Sequence, residues 1–520
     1  MAPRGEAETR SALDQLVGAG LVFQRGTPPA AEYQFKHALV QDTAYGTLLR
    51  GPRQALHARI AAAIEVRVPD RVEREPEILA FHLAEAGEAE RAAAYWRKAG
   101  ELAVRRAANR EAMGHFRRAL ALVETQAETA ERWRIELAIL SQLAPPTMAV
   151  HGWSAVEVGE VVERAAEIGR RLPSSLDIAP AVANLWIFNA GRGRIDRAEE
   201  ISNDLFRIAR ELDDPDILLQ ANHCAWATQF FRGRFREANE HILAGAAIYD
   251  LERHAHHRHL YLGHDPRVCS MNFGAAVQLA LGYPDQGRKL AQEGIELAQR
   301  LDHPPTLANA LWRACEAFIH LRDIDALTPT ARELIELSDT YGLPMPRAYA
   351  LGYLGWSRVY SGDVYEGLAH MAEAERVLVS IGALVHATLT RGLHAEALLA
   401  AGQYAEALQQ AERALATAEQ AGEWSYLSRL HRCRALAIRK LNGANEPEVE
   451  ALLRRAMDVA RQQSAKGWEI GAATDLARLW TERGRRVEAY NLLAPVYSWF
   501  TEGFETVDLK EAKALLDKLA

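Results

Sequence analysis

The sequence is poor in cysteine and in long apolar runs, and it has no excess of positive charge. Its four cysteines, Cys224, Cys269, Cys315 and Cys433, lie far apart and form no CxxC pair. That spacing argues against a disulfide framework, and the four read as reduced, buried small side chains of a cytoplasmic protein. No stretch approaches the length that spans a bilayer, and the opening Met1-Ala2-Pro3-Arg4-Gly5-Glu6 offers no apolar segment as a secretion signal. The net charge of -8 argues against a protein built around nucleic acid. A GxxxxGK[ST] phosphate loop is missing: Gly191-Arg192-Gly193-Arg194 has neither the lysine nor the hydroxyl, and Gly18-Ala19-Gly20 is too short. Nucleophile elbow and zincin helix are missing too. The carboxylates fall on solvated helix faces beside arginines, as in Glu406, Glu412 and Arg413. No catalytic residue, cofactor or metal is therefore assigned.

What is present is a beat. Gly193, Gly233, Gly282, Arg322, Gly362, Gly402, Gly443 and Gly484 recur at intervals of mostly about forty residues, the range of helical-repeat proteins. Gly193-Arg194-Ile195-Asp196-Arg197-Ala198 aligns with Gly233-Arg234-Phe235-Arg236-Glu237-Ala238 and with Gly402-Gln403-Tyr404-Ala405-Glu406-Ala407. Looser copies run from Gly282 to Gly287, Arg322 to Leu327, Gly362 to Gly367 and Gly484 to Ala489. Glycine at the mark suits the left-handed end of a helix, and the small residue five places on lets the next helix pack closely. Secondary breaks at Asp214-Pro215, His303-Pro304-Pro305, Gly342-Leu343-Pro344, Gly382 and Gly422 make two helices per repeat. Within one repeat, Tyr404, Leu408, Ala411, Leu415 and Ala418 form an apolar stripe at helical spacing, with Leu389, Leu393, Ala397 and Leu398 on the preceding helix. One such pair cannot bury its own face, so stability comes from stacking on neighbours.

The first fifty residues are of another kind. Leu13 to Phe23, then Tyr33-Gln34-Phe35-Lys36-His37 and the run through Asp42, Tyr45 and Leu49, resemble the winged-helix segment that follows the ATPase core in bacterial signal-transduction ATPases. More narrowly, the chain resembles the C-terminal half of bacterial multidomain adenylate/guanylate cyclases that carry such an ATPase and tetratricopeptide-like repeats. Pro76 to His82 with Tyr95 to Gly100, Gly263-His264-Asp265-Pro266 with Cys269, and Trp499 to Phe504 with Asp508 to Lys513 carry the match along the chain. The resemblance implies a regulatory or assembly region. The cyclase and ATPase domains of that family, with their phosphate loop and paired metal-binding aspartates, have no counterpart here. Neither cyclic-nucleotide synthesis nor ATP hydrolysis is expected of this chain.

By the same resemblance, His37 is a candidate nucleotide sensor, effective only with an ATPase core in place. Its plainer role is to cap or pack within the small domain. A winged helix also raises DNA binding. In residues 1–75, however, Arg25, Lys36, Arg50, Arg53 and Arg59 are balanced by acidic neighbours such as Glu32, Asp42, Glu65 and Asp70, which leaves no clear basic surface. His254, His256, His257, His259 and His264, with Cys269 beyond, invite a zinc reading. Their spacing is not compact, and they coincide with the one irregular gap, Gly233 to Gly282. An exposed polar helix end followed by a turn is the expectation there, without metal.

Aromatic residues mark the candidate binding surface. Trp186 and Trp226 precede their turn glycines by the same offset, Tyr349, Tyr353, Trp356 and Tyr360 cluster on a later first helix, and Trp312 lies between. Periodic apolar stripes usually fill the core. The alternative is a concave groove in which Trp186, Trp226, Trp312, Tyr353 and Trp356 anchor a protein partner.

The expected fold is all-α: a tetratricopeptide-like right-handed helical solenoid with a small N-terminal winged-helix-like segment. The expected divisions are 1–50 for that segment, 51–172 for a helical linker and first repeats, 173–500 for the repeat array and 501–520 for a capping helix. The expected function is a cytoplasmic, non-catalytic interaction and regulatory module of a bacterial ATPase or nucleotide cyclase system. The alternatives are the C-terminal regulatory fragment of an adenylate/guanylate cyclase and a winged-helix transcriptional regulator.

Overall fold

A computed structural model describes residues 5–27, 31–173, 175–442 and 446–520. The repeat mark Gly443 lies outside the described residues. Contacts group residues 1–99 with 118–126, and residues 100–117 with 127–520.

The N-terminal part begins with α1 (Glu6–Gly18), a hairpin of β1 (Val22–Arg25) and β2 (Glu32–Phe35), and α2 (Ala38–Gly46). The hairpin is antiparallel, with Val22 opposite Phe35 and Arg25 opposite Glu32. There follow α3 (Arg50–Arg67), α4 (Pro69–Arg74), α5 (Pro76–Ala86), α6 (Ala89–Arg105) and α7 (Asn109–Glu124). A short polar chain ties α2 to α3 and α5. Tyr45 Oη bonds to His57 Nε2 at 2.9 Å and donates to Glu85 at 3.0 Å, and His57 Nδ1 meets His82 Nδ1 at 2.9 Å.

From Ala130 onward the helices come in pairs. They are α8 (Ala130–His151) with α9 (Val156–Arg171), α10 (Ile178–Gly191) with α11 (Ile195–Leu212), and α12 (Pro215–Phe231) with α13 (Phe235–Ile248). A single turn, α14 (His257–Leu260), interrupts the series. Pairing resumes with α15 (Pro266–Leu281) and α16 (Pro284–Leu301), α17 (Pro304–His320) and α18 (Ile324–Tyr341), and α19 (Pro344–Tyr360) and α20 (Val364–Ser380). Then come α21 (Ala387–Ala400) and α22 (Tyr404–Ala421), α23 (Leu427–Asn442) and α24 (Glu446–Gln462), α25 (Lys466–Glu482) and α26 (Arg486–Tyr497), with α27 (Val507–Leu519) last.

The repeat marks sit where the backbone turns over. Gly282 ends α15 with φ at 102°, and Arg322 takes the same left-handed position after α17 with φ at 52°. Arginine therefore bears a strain that glycine avoids. Five places on, the small residue is the point of closest approach: a Cβ on Gly367 would come within 2.6 Å of the Gly355 carbonyl oxygen on the facing helix. Ala198, Ala238, Ala407 and Ala489 at the equivalent sites are fully buried.

The array winds back upon itself at a fixed interval. The Gly191 carbonyl at the end of α10 accepts bonds from Leu384 and Val385 N–H, ahead of α21, both at 2.9 Å. The Phe231 carbonyl at the end of α12 accepts from Trp424 N–H at 2.6 Å, ahead of α23. Gly467, at the start of α25, lies so close to the end of α15 that a Cβ would strike the Leu279 carbonyl oxygen. Arg322, after α17, pairs with Asp508 and Glu511 of α27. In each case the partner is five pairs further along. The bonds to Gly191 and Phe231 use carbonyls that a helix end leaves without intrahelical donors. These contacts also close off the side of the first helices that an open solenoid would leave to solvent. The array is an all-α, tetratricopeptide-like solenoid with a filled interior.

Candidate functional site

The filled interior is where polar chemistry collects. Helix α17 reads Ala308-Asn309-Ala310-Leu311-Trp312-Arg313-Ala314-Cys315-Glu316, and each of these residues is buried. Arg313 and Glu316, one turn apart, form an ion pair of 3.0 Å with side-chain exposures of 3% and 1%. A charge taken so far from water must be matched by partners. Tyr353 of α19 donates to Glu316 at 3.0 Å and accepts from the Trp312 indole N–H at 2.9 Å. The Arg313 guanidinium lies 4.3 Å from the centre of the Phe273 ring and 4.5 Å from that of Trp312. Burial pushes the Glu316 carboxyl up, and Arg313 and Tyr353 pull it back toward the ionised form. His386, at the head of α21, stands 3.7 Å from Glu316, and burial depresses its imidazole pKa well below the ordinary value. Beyond it, Glu423 bonds to Thr388, and burial lifts its carboxyl to about 7.

A second cluster adjoins the first. His223 of α12 stacks on Trp226 at 4.7 Å between ring centres. Its Nε2 faces His264 Nε2 at 3.2 Å. His264 precedes Asp265, which caps α15 by accepting from the Arg267 and Val268 N–H groups at 2.9 and 3.1 Å. The Gly263-His264-Asp265-Pro266 stretch is thus a helix start, locked further by Tyr249 Oη donating to Asp265 at 3.0 Å. Leu262 just before it holds φ at 60°, and Asn184 of α10 accepts its N–H at 2.9 Å. Cys269 follows on the first turn of α15. His223, His264, Cys269, Asn309 and Arg313 line one narrow recess.

The histidine run does not form the exposed helix end expected from its composition. His254, His257 and His264 are buried, and only His256 of the five is exposed. The reason is partner supply. His254 Nε2 bonds Asp216 at 3.0 Å, His257 Nδ1 bonds the Gln220 amide at 2.8 Å, and His264 Nδ1 donates to the Leu262 carbonyl at 3.1 Å. Asp216, His254 and His257 bring their ligand atoms close together as a second group.

The aromatic candidates Trp186, Trp226, Trp312, Tyr353 and Trp356 all face the interior and are buried. The Trp186 N–H donates to Thr228 at 2.9 Å, and Trp312 stacks on Tyr349 at 4.4 Å. A partner lying on the outside of the array would not touch these five rings. His37 occupies the N-cap position of α2 without a side-chain cap bond and is exposed.

Sequence reasoning passed over His223, Arg313, Glu316, His386 and Glu423. A signal for two of them was there. An arginine and a glutamate three apart inside the apolar run from Leu307 to Ile319 cannot both face water if that helix is buried on all sides.

Over 489 residues the chain is 29% identical to uncharacterized protein R02095 of Rhizobium meliloti (strain 1021), taking in 92% of this chain and 47% of that protein. The chain therefore spans less than half the length of that relative. No family model matches the sequence. Among solved structures it is similar to a Rap protein complexed with competence and sporulation factor, at 10% identity and TM-score 0.41 over 82% of this chain and 99% of that one. It is also similar to the APC/C hetero-tetramer Cut9-Hcn1, at 12% identity and TM-score 0.45 over 93% and 94%. These are distant likenesses, and the fold assignment stands on the helix pairs themselves. The chain is a helical-repeat protein. No helix among the described residues is long and apolar enough to cross a membrane.

Proposed function

We propose that the chain is a non-catalytic interaction and regulatory module of a bacterial ATPase or nucleotide cyclase signalling system, acting in the cytoplasm. The observation that carries this reading is the apolar surface left uncovered in the first fifty residues. Helix α2 buries none of its residues, and Leu39 and Leu49 are 80% and 78% exposed. A segment this small gains nothing by holding leucines in water, whereas a domain packed against it would bury them. The occupant we assign is the ATPase portion of such a system, on the same polypeptide or on a separate one. R02095 leaves room for such a portion, since more than half of its length extends beyond what this chain matches. His37 beside this face is then placed to sense nucleotide in the assembled complex. The charge of α2 speaks against the DNA reading, because the helix contains no lysine or arginine.

The test is binding of the purified chain to the portion of R02095 that it does not match, followed by calorimetry. Saturable binding that Leu39→Asp with Leu49→Asp abolishes, without loss of folding, is the expected result. Absence of binding, or binding indifferent to those changes, overturns the docking assignment. Conversion of ATP to cyclic AMP by the isolated chain overturns the non-catalytic reading. The genomic sequence upstream of the Met1 codon separates the two arrangements. A frame continuing back into a phosphate loop and a cyclase domain would mean regulation within one polypeptide, and a stop codon would mean regulation between two.

A further inference from the structure

The contact between His223 and His264 sets two ring nitrogens face to face inside the array. A backbone carbonyl only accepts, so His264 Nδ1 must carry the proton it gives to Leu262. In the neutral ring this leaves a lone pair on Nε2. His223 Nδ1 lies 3.2 Å from the Gln220 side-chain oxygen, while the Gln220 amide nitrogen serves His257 Nδ1 at 2.8 Å. With the Gln220 amide in this orientation, His223 also donates from Nδ1 and bares a lone pair on Nε2. Two lone pairs then face each other across 3.2 Å inside a buried site. A cation between them relieves that arrangement.

The spacing fits a metal ion. Two nitrogens bound at about 2.05 Å to one tetrahedral ion stand about 3.3 Å apart. Cys269 Sγ belongs to the same group, all three ligand atoms lying within 4.8 Å of one another. The other ring nitrogen of each histidine is bonded to an oxygen, as ligating histidines require for tautomer and orientation. Burial pushes the Cys269 thiol up to about 12 even though Arg313 and the Trp226 indole N–H favour its thiolate, and Asp265 adds to the rise, so the thiolate forms only with a cation beside it. That N–H makes no full hydrogen bond otherwise. Glu316 already neutralises Arg313, so the guanidinium does not face the site as a bare charge.

We propose that His223, His264 and Cys269 bind one zinc-class divalent cation, with two imidazole nitrogens and a thiolate as ligands and the fourth position open to the recess beside Arg313. A nitrogen–nitrogen–sulfur set suits zinc ahead of the hard oxygen-seeking cations. The ion ties α12 to the start of α15 across the interrupted turn at α14, where the regular pairing of the array lapses. Binding displaces the thiol proton to solvent, so no other co-reactant is required.

The experiment uses the full chain, stripped with chelator and titrated with cobalt(II) chloride. Expected is one tightly bound cobalt per chain, with visible bands of tetrahedral intensity and a near-ultraviolet sulfur-to-cobalt band. Cys269→Ser should abolish the sulfur band, and Gln220→Leu should weaken binding by about 10- to 100-fold through the freed His223 ring. Zinc added to the stripped chain should raise its unfolding temperature and displace the cobalt spectrum. Melting of each metal-free variant separates ligand loss from failure to fold. No cobalt uptake would overturn the proposal. So would uptake without a sulfur band that persists in Cys269→Ser, since it would place the ion elsewhere, for example at Asp216, His254 and His257.

Discussion

Helices α17 and α11 are nearly equal in length and both carry charged residues, yet they treat them in opposite ways. In α17, Arg313 and Glu316 lie in the interior with every neighbour from Ala308 to Ile319 buried. In α11 the buried positions are Ile195, Ala198, Ile201, Ser202, Leu205, Ile208 and Ala209, a single stripe. Arg207 lies off that stripe, half-exposed between Asp204 and Glu211. The difference follows from position in the pair. A second helix covers the array and keeps one face in water, whereas a first helix meets its neighbours on one side and a pair five steps away on the other. Charge on a second helix is solvated by water, and charge on a first helix must be solvated by protein. The lesson is that the winding, not the single repeat, decides which residues are inside.

The sharpest way to break this contrast is to remove one member of the buried pair. Arg313→Met leaves Glu316 with Tyr353 and no counter-charge, and should cost about 3–5 kcal/mol in urea unfolding. Replacing both, Arg313→Met with Glu316→Leu, should recover most of that loss, because no buried charge is then stranded. A single-variant cost below about 1 kcal/mol would mean that water reaches the interior. Trp226→Ala and Trp186→Ala probe the same interior by volume, each expected to cost about 3–5 kcal/mol. If melting were unchanged while partner binding was lost, these rings would belong to a groove and the contrast would fail.

Glu423 gives the comparison a pH signature of intermediate size. Its folded carboxyl holds its proton up to about 7, against an ordinary value of 4.5. Below 4.5 both states are protonated and nothing is lost. Between 4.5 and 7 the unfolded chain gives up the proton and the folded one does not, so stability falls as pH rises, by about 3 kcal/mol in all. The buried histidines act with the opposite sign. His264 resists protonation until about 4, so stability is lost as pH falls below the ordinary 6.5. The difference between Glu423→Gln and the unaltered chain isolates the carboxylate. It should be near zero at pH 4.5 and should grow in favour of the glutamine form through pH 7, as read by thermal unfolding. A flat difference would mean that Glu423 is ionised at no cost.

Much of the fold was legible because it is local. The turn at Gly402 and the stripe from Tyr404 to Ala418 follow from backbone freedom and helical period, and Arg322 could be placed in register although it is not glycine. The site was not legible, because it is assembled by winding. Nothing in the neighbourhood of Gly191 announces that Leu384 and Val385 will donate to it, and nothing near His223 announces His264. Composition suggested that the histidine run would be wet. Its partners, Asp216 and Gln220, lie on α12, and only the folded chain supplies them.

The smallest effect expected is also the one that guards the comparison from the other side. Arg207 bonds Glu211 at 2.9 Å and lies 3.4 Å from Asp204, all three on α11 and all largely in water. Solvent screening and the entropy of holding long side chains cancel most of the attraction in such a pair. Arg207→Ala should therefore change the free energy of unfolding by no more than about 0.5 kcal/mol. Since alanine is the better helix former, even the sign is open to a slight gain. A cost as large as that of Arg313→Met would show that α11 is covered by something when the protein is in solution. The outer helices would then be an interface, and the division between wet and dry charge would have to be redrawn around it.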